Sequence, residues 1–243
     1  MKRKKKGTHV KRRVLVFCLL LAMLLSGAYF LKTAISIQPD RQLQAEHGTT
    51  KTKKEVDWRL QLVNEENPLP EGFSVETCPI SQSGQAFDKR AAQNLERMLA
   101  DGKKQGMSFV VCSSYRSIDK QKTLFKNQVQ KQKRKGLSEE EAYKEAKTVV
   151  ALPGTSEHNY GLAADIVAKS YQMLDDKQAQ TKEAKWLKEN CAKYGFILRY
   201  PLDKKDKTGI IFEPWHYRYV GEDAAKEIMR RGICLEEYLE ERA

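Results

Sequence analysis

Two short stretches of this chain hold side chains of the kinds that bind metal ions and move protons. They read SEHNYGLAAD at 156–165 and EPWHYRYVG at 213–221. The chain has four histidines, and two of them fall in these stretches, each near a carboxylate. The four side chains of interest are His158, Asp165, Glu213 and His216. Their residue types indicate a metal-dependent hydrolase that needs no serine nucleophile.

The two histidines and one aspartate supply the ligands that a catalytic zinc site requires. Such a site has three protein ligands and keeps one position open for water. Neutral imidazoles bind Zn²⁺ well, and one carboxylate lowers the net charge while leaving the metal a Lewis acid. His158 and Asp165 are seven positions apart with Gly161 between them, so the chain can turn and aim both at one point. We therefore predict that these two residues and His216 bind Zn²⁺.

Glu213 precedes His216 by three positions, and Pro214 follows it directly. Proline biases the residue before it towards an extended conformation. Residues three apart on an ideal strand point to opposite faces, so a straight strand would separate Glu213 from the metal. We therefore predict a turn or bulge at Pro214, which places Glu213 beside the zinc as the base that activates a zinc-bound water.

Arg116 is the predicted anchor for the substrate. It lies between a strand-like and a helix-like segment, in the stretch SSYRS at 113–117. A guanidinium group can form two parallel hydrogen bonds with a carboxylate, which suits an enzyme that recognises the free C-terminus of a peptide. Gln121 and Ser156 are short polar candidates for completing this substrate-binding clamp.

Short strands and amphipathic helices must position these residues, and they do not alternate in a regular βαβ order. Apolar spacing predicts helices near 88–105, 118–133, 138–150, 182–194, 221–231 and 234–241. Strand-like segments lie at 58–64, 107–112, 163–167, 196–200, 210–212 and 215–220. This order predicts an α+β fold with a small antiparallel sheet flanked by helices.

The chain before residue 57 differs in composition from the rest. Residues 1–13 form a basic tail, and 14–31 are an uncharged apolar run of 18 residues, about the shortest span that crosses a bilayer core. The basic tail should stay in the cytoplasm, which orients the remainder outward. Residues 32–56 are typical of a flexible stalk, and 57–243 are the predicted catalytic domain.

We expect the apolar run to be an uncleaved anchor, giving a single-pass membrane protein whose catalytic domain is extracellular. The alternative is a signal peptide cleaved at the small residues Ser26-Gly27-Ala28, which would give a secreted protein. The run is longer than the apolar core of a usual signal peptide, which favours the anchor.

The net charge gives no support for nucleic-acid binding. Eight basic residues and no acidic residue occupy positions 1–13, so the remainder carries only +4 of the overall +12. A nucleic-acid-binding protein would concentrate basic residues on one folded face. We therefore expect no nucleic-acid partner.

The two ligand-bearing stretches resemble the paired signatures of the VanY-like D-alanyl-D-alanine carboxypeptidases. The segment around Arg116 resembles that family's substrate-arginine segment, and the resemblance extends from about residue 58 to 241. The family pattern implies zinc ligands at His158, Asp165 and His216, a catalytic base at Glu213, and carboxylate-binding residues at Arg116, Gln121 and Ser156. The implied substrate is the peptidoglycan stem peptide that ends in D-alanine.

The sequence leaves three functions open. The first is a zinc D,D-carboxypeptidase that removes the terminal D-alanine of pentapeptide stems. The second is an L,D-carboxypeptidase on tetrapeptide stems or a wall endopeptidase, although an endopeptidase has no need of a carboxylate clamp. The third is a non-catalytic wall-binding module, against which the intact ligand set and Glu213 argue.

Overall fold

The computed structural model describes residues 57–81 and 84–242. Its strands are β1 (Thr77–Pro79), β2 (Ala86–Asp88), β3 (Phe109–Ser113), β4 (Ala163–Ala168), β5 (Phe196–Leu198) and β6 (His216–Tyr219). Its α-helices are α1 (Ala92–Lys104), α2 (Ile118–Lys133), α3 (Glu139–Lys147), α4 (Glu157–Tyr160), α5 (Lys182–Asn190), α6 (Lys205–Thr208), α7 (Glu222–Arg231) and α8 (Leu235–Glu240). Short 3₁₀ helices cover Trp58–Leu60, Asp176–Gln180 and Cys191–Tyr194.

The strands form two small antiparallel sheets. One pairs β1 with β2, and the other has the order β3-β4-β6-β5. Helices flank the four-stranded sheet, so the predicted α+β fold with a small antiparallel sheet is confirmed. Neighbours in this sheet are distant in sequence, so residues from the two ligand-bearing stretches meet on adjacent strands.

Strand β4 lies at the centre of the core. All six of its residues are buried, in keeping with its position between two other strands and beneath helices. Helix α1 covers the sheet with an apolar stripe of Leu95, Met98 and Leu99, whose spacing places them on one face. The strand that bears Asp165 is therefore held between two neighbouring strands within the buried core.

Helices α2 and α3 form a satellite layer beside the sheet. Phe125 and Val129 of α2 pack against Ala142 and Ala146 of α3. Ser138 begins α3 with a capping box, because its side chain accepts from the Glu141 backbone and the Glu141 carboxylate accepts from the Ser138 backbone. The other face of α2 is free of this packing.

The strand predicted over 58–64 is wrong. The chain forms a 3₁₀ helix at Trp58–Leu60 instead, because the Asp57 carboxylate accepts a hydrogen bond from the Arg59 amide and fixes a turn there. The predicted strand at 210–212 is also irregular in the structure. No helix among the described residues is long and apolar enough to cross a membrane. The predicted anchor at 14–31 and the stalk at 32–56 lie outside those residues.

Candidate metal centre and active site

The register of the central sheet brings the two ligand-bearing stretches together. Asp165 of β4 lies directly opposite His216 of β6, so their side chains are neighbours on one face. The Nδ1 atom of His216 is 3.2 Å from Oδ1 of Asp165. A chain separation of more than fifty residues is thus closed by one antiparallel pairing.

His158 reaches the same point from the short helix α4. Gly161 ends that helix with a φ of +90°, a left-handed conformation that glycine adopts without strain. The chain then enters β4 and presents Asp165, whose Oδ1 lies 3.3 Å from Nε2 of His158. Candidate ligand atoms of His158, Asp165 and His216 all lie within 4.8 Å of one another.

The hydrogen bonding of His158 leaves a lone pair aimed into the centre. Its Nδ1 lies 2.7 Å from the carbonyl oxygen of Ser114, so Nδ1 must hold the proton and donate it. Burial and the Arg116 guanidinium lower the pKa of His158 to about 4. This imidazole is therefore neutral at pH 7, which is the form that binds metals.

His216 is oriented from behind by Glu157. Its Nε2 lies 3.3 Å from Oε2 of that buried carboxylate, which leaves Nδ1 for the centre. Burial lowers the pKa of His216, but Asp165 and Glu157 outweigh it and raise the pKa to about 9. Binding a cation through Nδ1 therefore requires His216 to lose the proton on Nδ1. The proton on Nε2 stays on the ring and in the hydrogen bond to Glu157.

Two buried atoms in this centre lack any hydrogen-bond partner within the described residues. They are Nε2 of His158 and Oδ1 of Asp165, which face each other. Buried polar atoms without a partner are costly, and two such atoms at one point indicate an ion-binding site. Two imidazole nitrogens and one carboxylate oxygen are a donor set that suits a catalytic zinc. The residues present therefore fit Zn²⁺.

Glu213 lies beside this centre because the chain turns at Pro214. The His216 amide donates to the Glu213 carbonyl at 3.1 Å, which closes the predicted turn. Oε2 of Glu213 is then 3.5 Å from Nδ1 of His216. Burial raises the pKa of Glu213 to about 8, with Asp165 adding to the rise and His216 opposing it. A cation at the centre would favour the ionised, basic form of Glu213.

Arg116 lines the same cavity. One Nη donates to Gln121 at 3.1 Å and the other to Oδ2 of Asp165 at 3.3 Å. Its buried Nε has no hydrogen-bond partner within the described chain. Gln121 is itself fixed, since its amide donates to the Ala151 carbonyl at 2.7 Å. Gln121 and Asp165 thus hold the Arg116 guanidinium in place beside the cavity.

Ser156 lies at the start of α4 and lines the cavity. Its hydroxyl accepts from the His158 amide at 3.3 Å and so caps the helix that presents His158. The structure therefore brings all seven predicted site residues to one cavity. Their roles as ligand, base or substrate contact stay predictions.

A buried charge network behind the centre was missed by the sequence analysis. Arg199 and Arg218 donate to Oε1 of Glu157 at 2.6 and 2.9 Å, and Arg199 also forms a bidentate pair with Glu236 of α8. Another nitrogen of Arg218 donates to the carbonyl oxygens of Arg59 and Gln61. The available signal was a charged residue inside an otherwise apolar strand, as in FILRY at 196–200.

This network holds Glu157 as a buried anion. Burial raises its pKa, but Arg199 and Arg218 outweigh burial and hold the pKa of Glu157 well below its ordinary value. Two carboxylates and two guanidinium groups balance in charge, so the network is neutral in total. Its link to the metal centre is the contact between Glu157 and His216.

Comparison with known proteins agrees with this geometry. A sequence profile of the VanY family, described as D-alanyl-D-alanine carboxypeptidase, matches residues 84–222. A D-alanyl-D-alanine carboxypeptidase of Enterococcus faecalis (strain ATCC 700802 / V583) is 41% identical over 198 residues, which are 80% of this chain and 72% of that protein.

Two solved structures are similar along most of their length. VanYB in complex with D-alanine-D-alanine has a TM-score of 0.69 and 42% identity, and the match covers 76% of this chain and 98% of that one. A mutant of the vancomycin-resistance D,D-pentapeptidase VanY in complex with Zn(II) also has a TM-score of 0.69 and 42% identity, with coverages of 75% and 99%.

Proposed function

This chain belongs to the VanY family of D-alanyl-D-alanine carboxypeptidases, and from that membership we propose that it is a zinc-dependent D,D-carboxypeptidase. Its substrate is the peptidoglycan stem peptide, from which it removes the C-terminal D-alanine. A similar protein was solved with D-alanine-D-alanine and another with Zn(II), which supports both the substrate and the metal.

One observation supports the proposal above all others. Unpartnered atoms of His158 and Asp165 face each other at a point that Nδ1 of His216 also faces, and Arg116 lines the same cavity. A metal centre and a carboxylate anchor in one cavity are the two parts that a metallocarboxypeptidase needs. A non-catalytic binding module would have no use for the buried, basic Glu213.

The site residues have separate roles in the proposed reaction. When bound, zinc supplies the Lewis acidity that polarises the scissile carbonyl and acidifies water. Arg116 binds the carboxylate of the terminal D-alanine and so fixes which peptide bond is presented. Glu213 takes a proton from the attacking water as the water oxygen bonds to the carbonyl carbon. Glu213 then gives that proton to the D-alanine nitrogen as the C–N bond breaks.

We also propose that the catalytic domain acts outside the cytoplasmic membrane. The support is the apolar run at 14–31 behind a basic tail, together with a substrate that is a wall precursor. Protease added to intact cells should degrade the domain if it is anchored and outward-facing. The mass of the N-terminal peptide of the mature protein distinguishes an anchor from a cleaved signal.

The decisive experiment is digestion of synthetic stem peptides by the purified protein, with mass detection of released alanine. We expect release from the pentapeptide, loss of release with chelator, and recovery with added Zn²⁺. Glu213→Gln should abolish turnover while zinc is retained, because the residue moves protons and does not bind the metal. Loss of zinc from that variant would contradict the assigned role.

The same digestion tests the alternatives. Release from a tetrapeptide but not from the pentapeptide would make the protein an L,D-carboxypeptidase, and internal cleavage would make it an endopeptidase. Binding of stem peptides without any cleavage in the presence of zinc would show a non-catalytic module.

A further inference from the structure

The cavity is larger than a terminal D-alanine requires. Its volume is about 1010 Å³, at the upper end of the roughly 300–1,000 Å³ typical of pockets for drug-sized ligands. The metal centre and Arg116 occupy one part of it. The remainder is lined by residues to which the proposed reaction gives no role.

One face of helix α2 forms a wall of this remaining space. Gln121, Leu124, Gln128 and Lys131 line it, and their spacing places them along one side of the helix. The first and the last are ten positions apart, which corresponds to about 15 Å at 1.5 Å per residue. An extended peptide covers that distance with about four or five residues. A stem peptide held by Arg116 at its C-terminus can therefore lie along α2.

The charges that line this space are all positive away from the metal centre. Lys120, Lys131 and Arg134 are exposed and line the cavity, and they form no ion pair within the described part of the chain. The facing wall is apolar and includes Val150 and Ile211. Unpaired cations along one wall favour a ligand that carries an anionic group at some distance from its C-terminus.

Resting on the proposed function, we propose that Lys131 and Arg134 bind the free α-carboxylate of the γ-linked D-glutamate at position two of the stem peptide. Position two is the fourth residue from the C-terminus of a pentapeptide, which matches the distance from the Arg116 end of α2 to Lys131. An anionic side chain at position three would share this chemistry but would lie nearer Lys120. The pair thus sets specificity between stems with a free and an amidated position two.

The test uses full-length protein and two pentapeptides with lysine at position three, one with isoglutamate and one with isoglutamine at position two. We expect kcat/KM for D-alanine release to be about tenfold higher for isoglutamate, because two exposed charged contacts are lost with the amide. The variant Lys131→Gln/Arg134→Gln should lose this preference, because its kcat/KM should fall for the isoglutamate peptide and stay unchanged for the isoglutamine peptide. The preference should shrink at high salt.

A matched control removes the same charge from elsewhere on this layer. Lys126→Gln/Lys135→Gln changes two exposed cations that do not line the cavity, so the preference should persist. Equal release from both peptides by the parent protein would overturn the position-two contact while leaving the proposed function intact. Release from neither peptide would overturn the proposed function and this inference with it.

A third peptide separates the two possible sources of the carboxylate. It carries isoglutamine at position two and diaminopimelate, with its extra carboxylate, at position three. One outcome is that the full rate of D-alanine release returns with this peptide and falls again in the Lys131→Gln/Arg134→Gln variant. In that case the contact belongs to position three and our assignment is wrong. If it stays slow, the assignment to position two is supported.

Discussion

Replacing Glu157 by glutamine should destabilise the fold and weaken the metal centre together. The side chains of Glu157, Arg199 and Arg218 are almost wholly buried, with at most 1% of each exposed. Glutamine keeps the shape and an acceptor oxygen but removes the negative charge between the two guanidinium groups. Arg199 still has Glu236, whereas Arg218 has no carboxylate left among its described partners.

The expected magnitude follows from this burial. Breaking a buried ion pair by removing one partner costs about 3–5 kcal/mol, because the other charge stays buried without compensation. For a domain of this size each kcal/mol lowers Tm by about 2–4 °C, so Tm should fall by about 6–20 °C. The Nε2 atom of His216 also loses its carboxylate partner, and such losses weaken metal affinity by about 10- to 100-fold.

The assay is thermal unfolding followed by circular dichroism, with chelator and with Zn²⁺, alongside competition titration for zinc affinity. Glu76→Gln is the matched control, since Glu76 pairs with Lys89 on the exposed surface and should show no measurable change. If Glu157→Gln unfolds at the parental temperature in chelator, the buried network does not stabilise the fold as argued. Unchanged zinc affinity would show that Glu157 does not orient His216.

Three further substitutions, one of them with a matched control, test individual residues. Arg116→Lys should raise KM for pentapeptide stems by about 10- to 100-fold, because lysine cannot form two parallel hydrogen bonds with a carboxylate; unchanged KM would remove Arg116 from substrate binding. Gly161→Ala should cost about 1–2 kcal/mol in unfolding free energy, since φ is +90° and the added Cβ would lie 3.2 Å from Val75; Gly154→Ala, with a similar φ and open space, should cost less. Ser156→Ala should cost about 1 kcal/mol through loss of the helix cap and should also raise KM; a change in Tm alone would confine Ser156 to capping.

The elements that carry the site could be predicted because turns and helix caps depend on residues close together in the sequence. The turn at Pro214 followed from the proline and from the need to bring Glu213 and His216 together, and the structure contains it. Helix α3 followed from the Ser138 capping box. The meeting of the two distant stretches was predicted from their ligand chemistry and from resemblance, while the register that achieves it could be read only from the fold.

The incorrect or missing predictions occur where a contact outside the local sequence pattern determines the structure. Alternating apolar residues at 58–64 indicated a strand, but the Asp57 side chain caps a 3₁₀ helix there. The pairing of Glu157 with Arg199 and Arg218 joins three separate segments, and no spacing in the sequence indicates which buried charges will meet. The sequence marks Gln121 and Ser156 only as polar neighbours of the site, and the structure adds that Gln121 holds Arg116 and Ser156 caps α4.

The hydrogen bonds from Arg218 to the carbonyl oxygens of Arg59 and Gln61 mark where proteolytic trimming of this chain would begin to harm it. A cut on the N-terminal side of Asp57 leaves both acceptors attached to the domain. A cut just after Gln61 would take them away and expose the guanidinium that steadies Glu157. Release of an active domain and its inactivation would therefore differ by a few residues in the position of the cut.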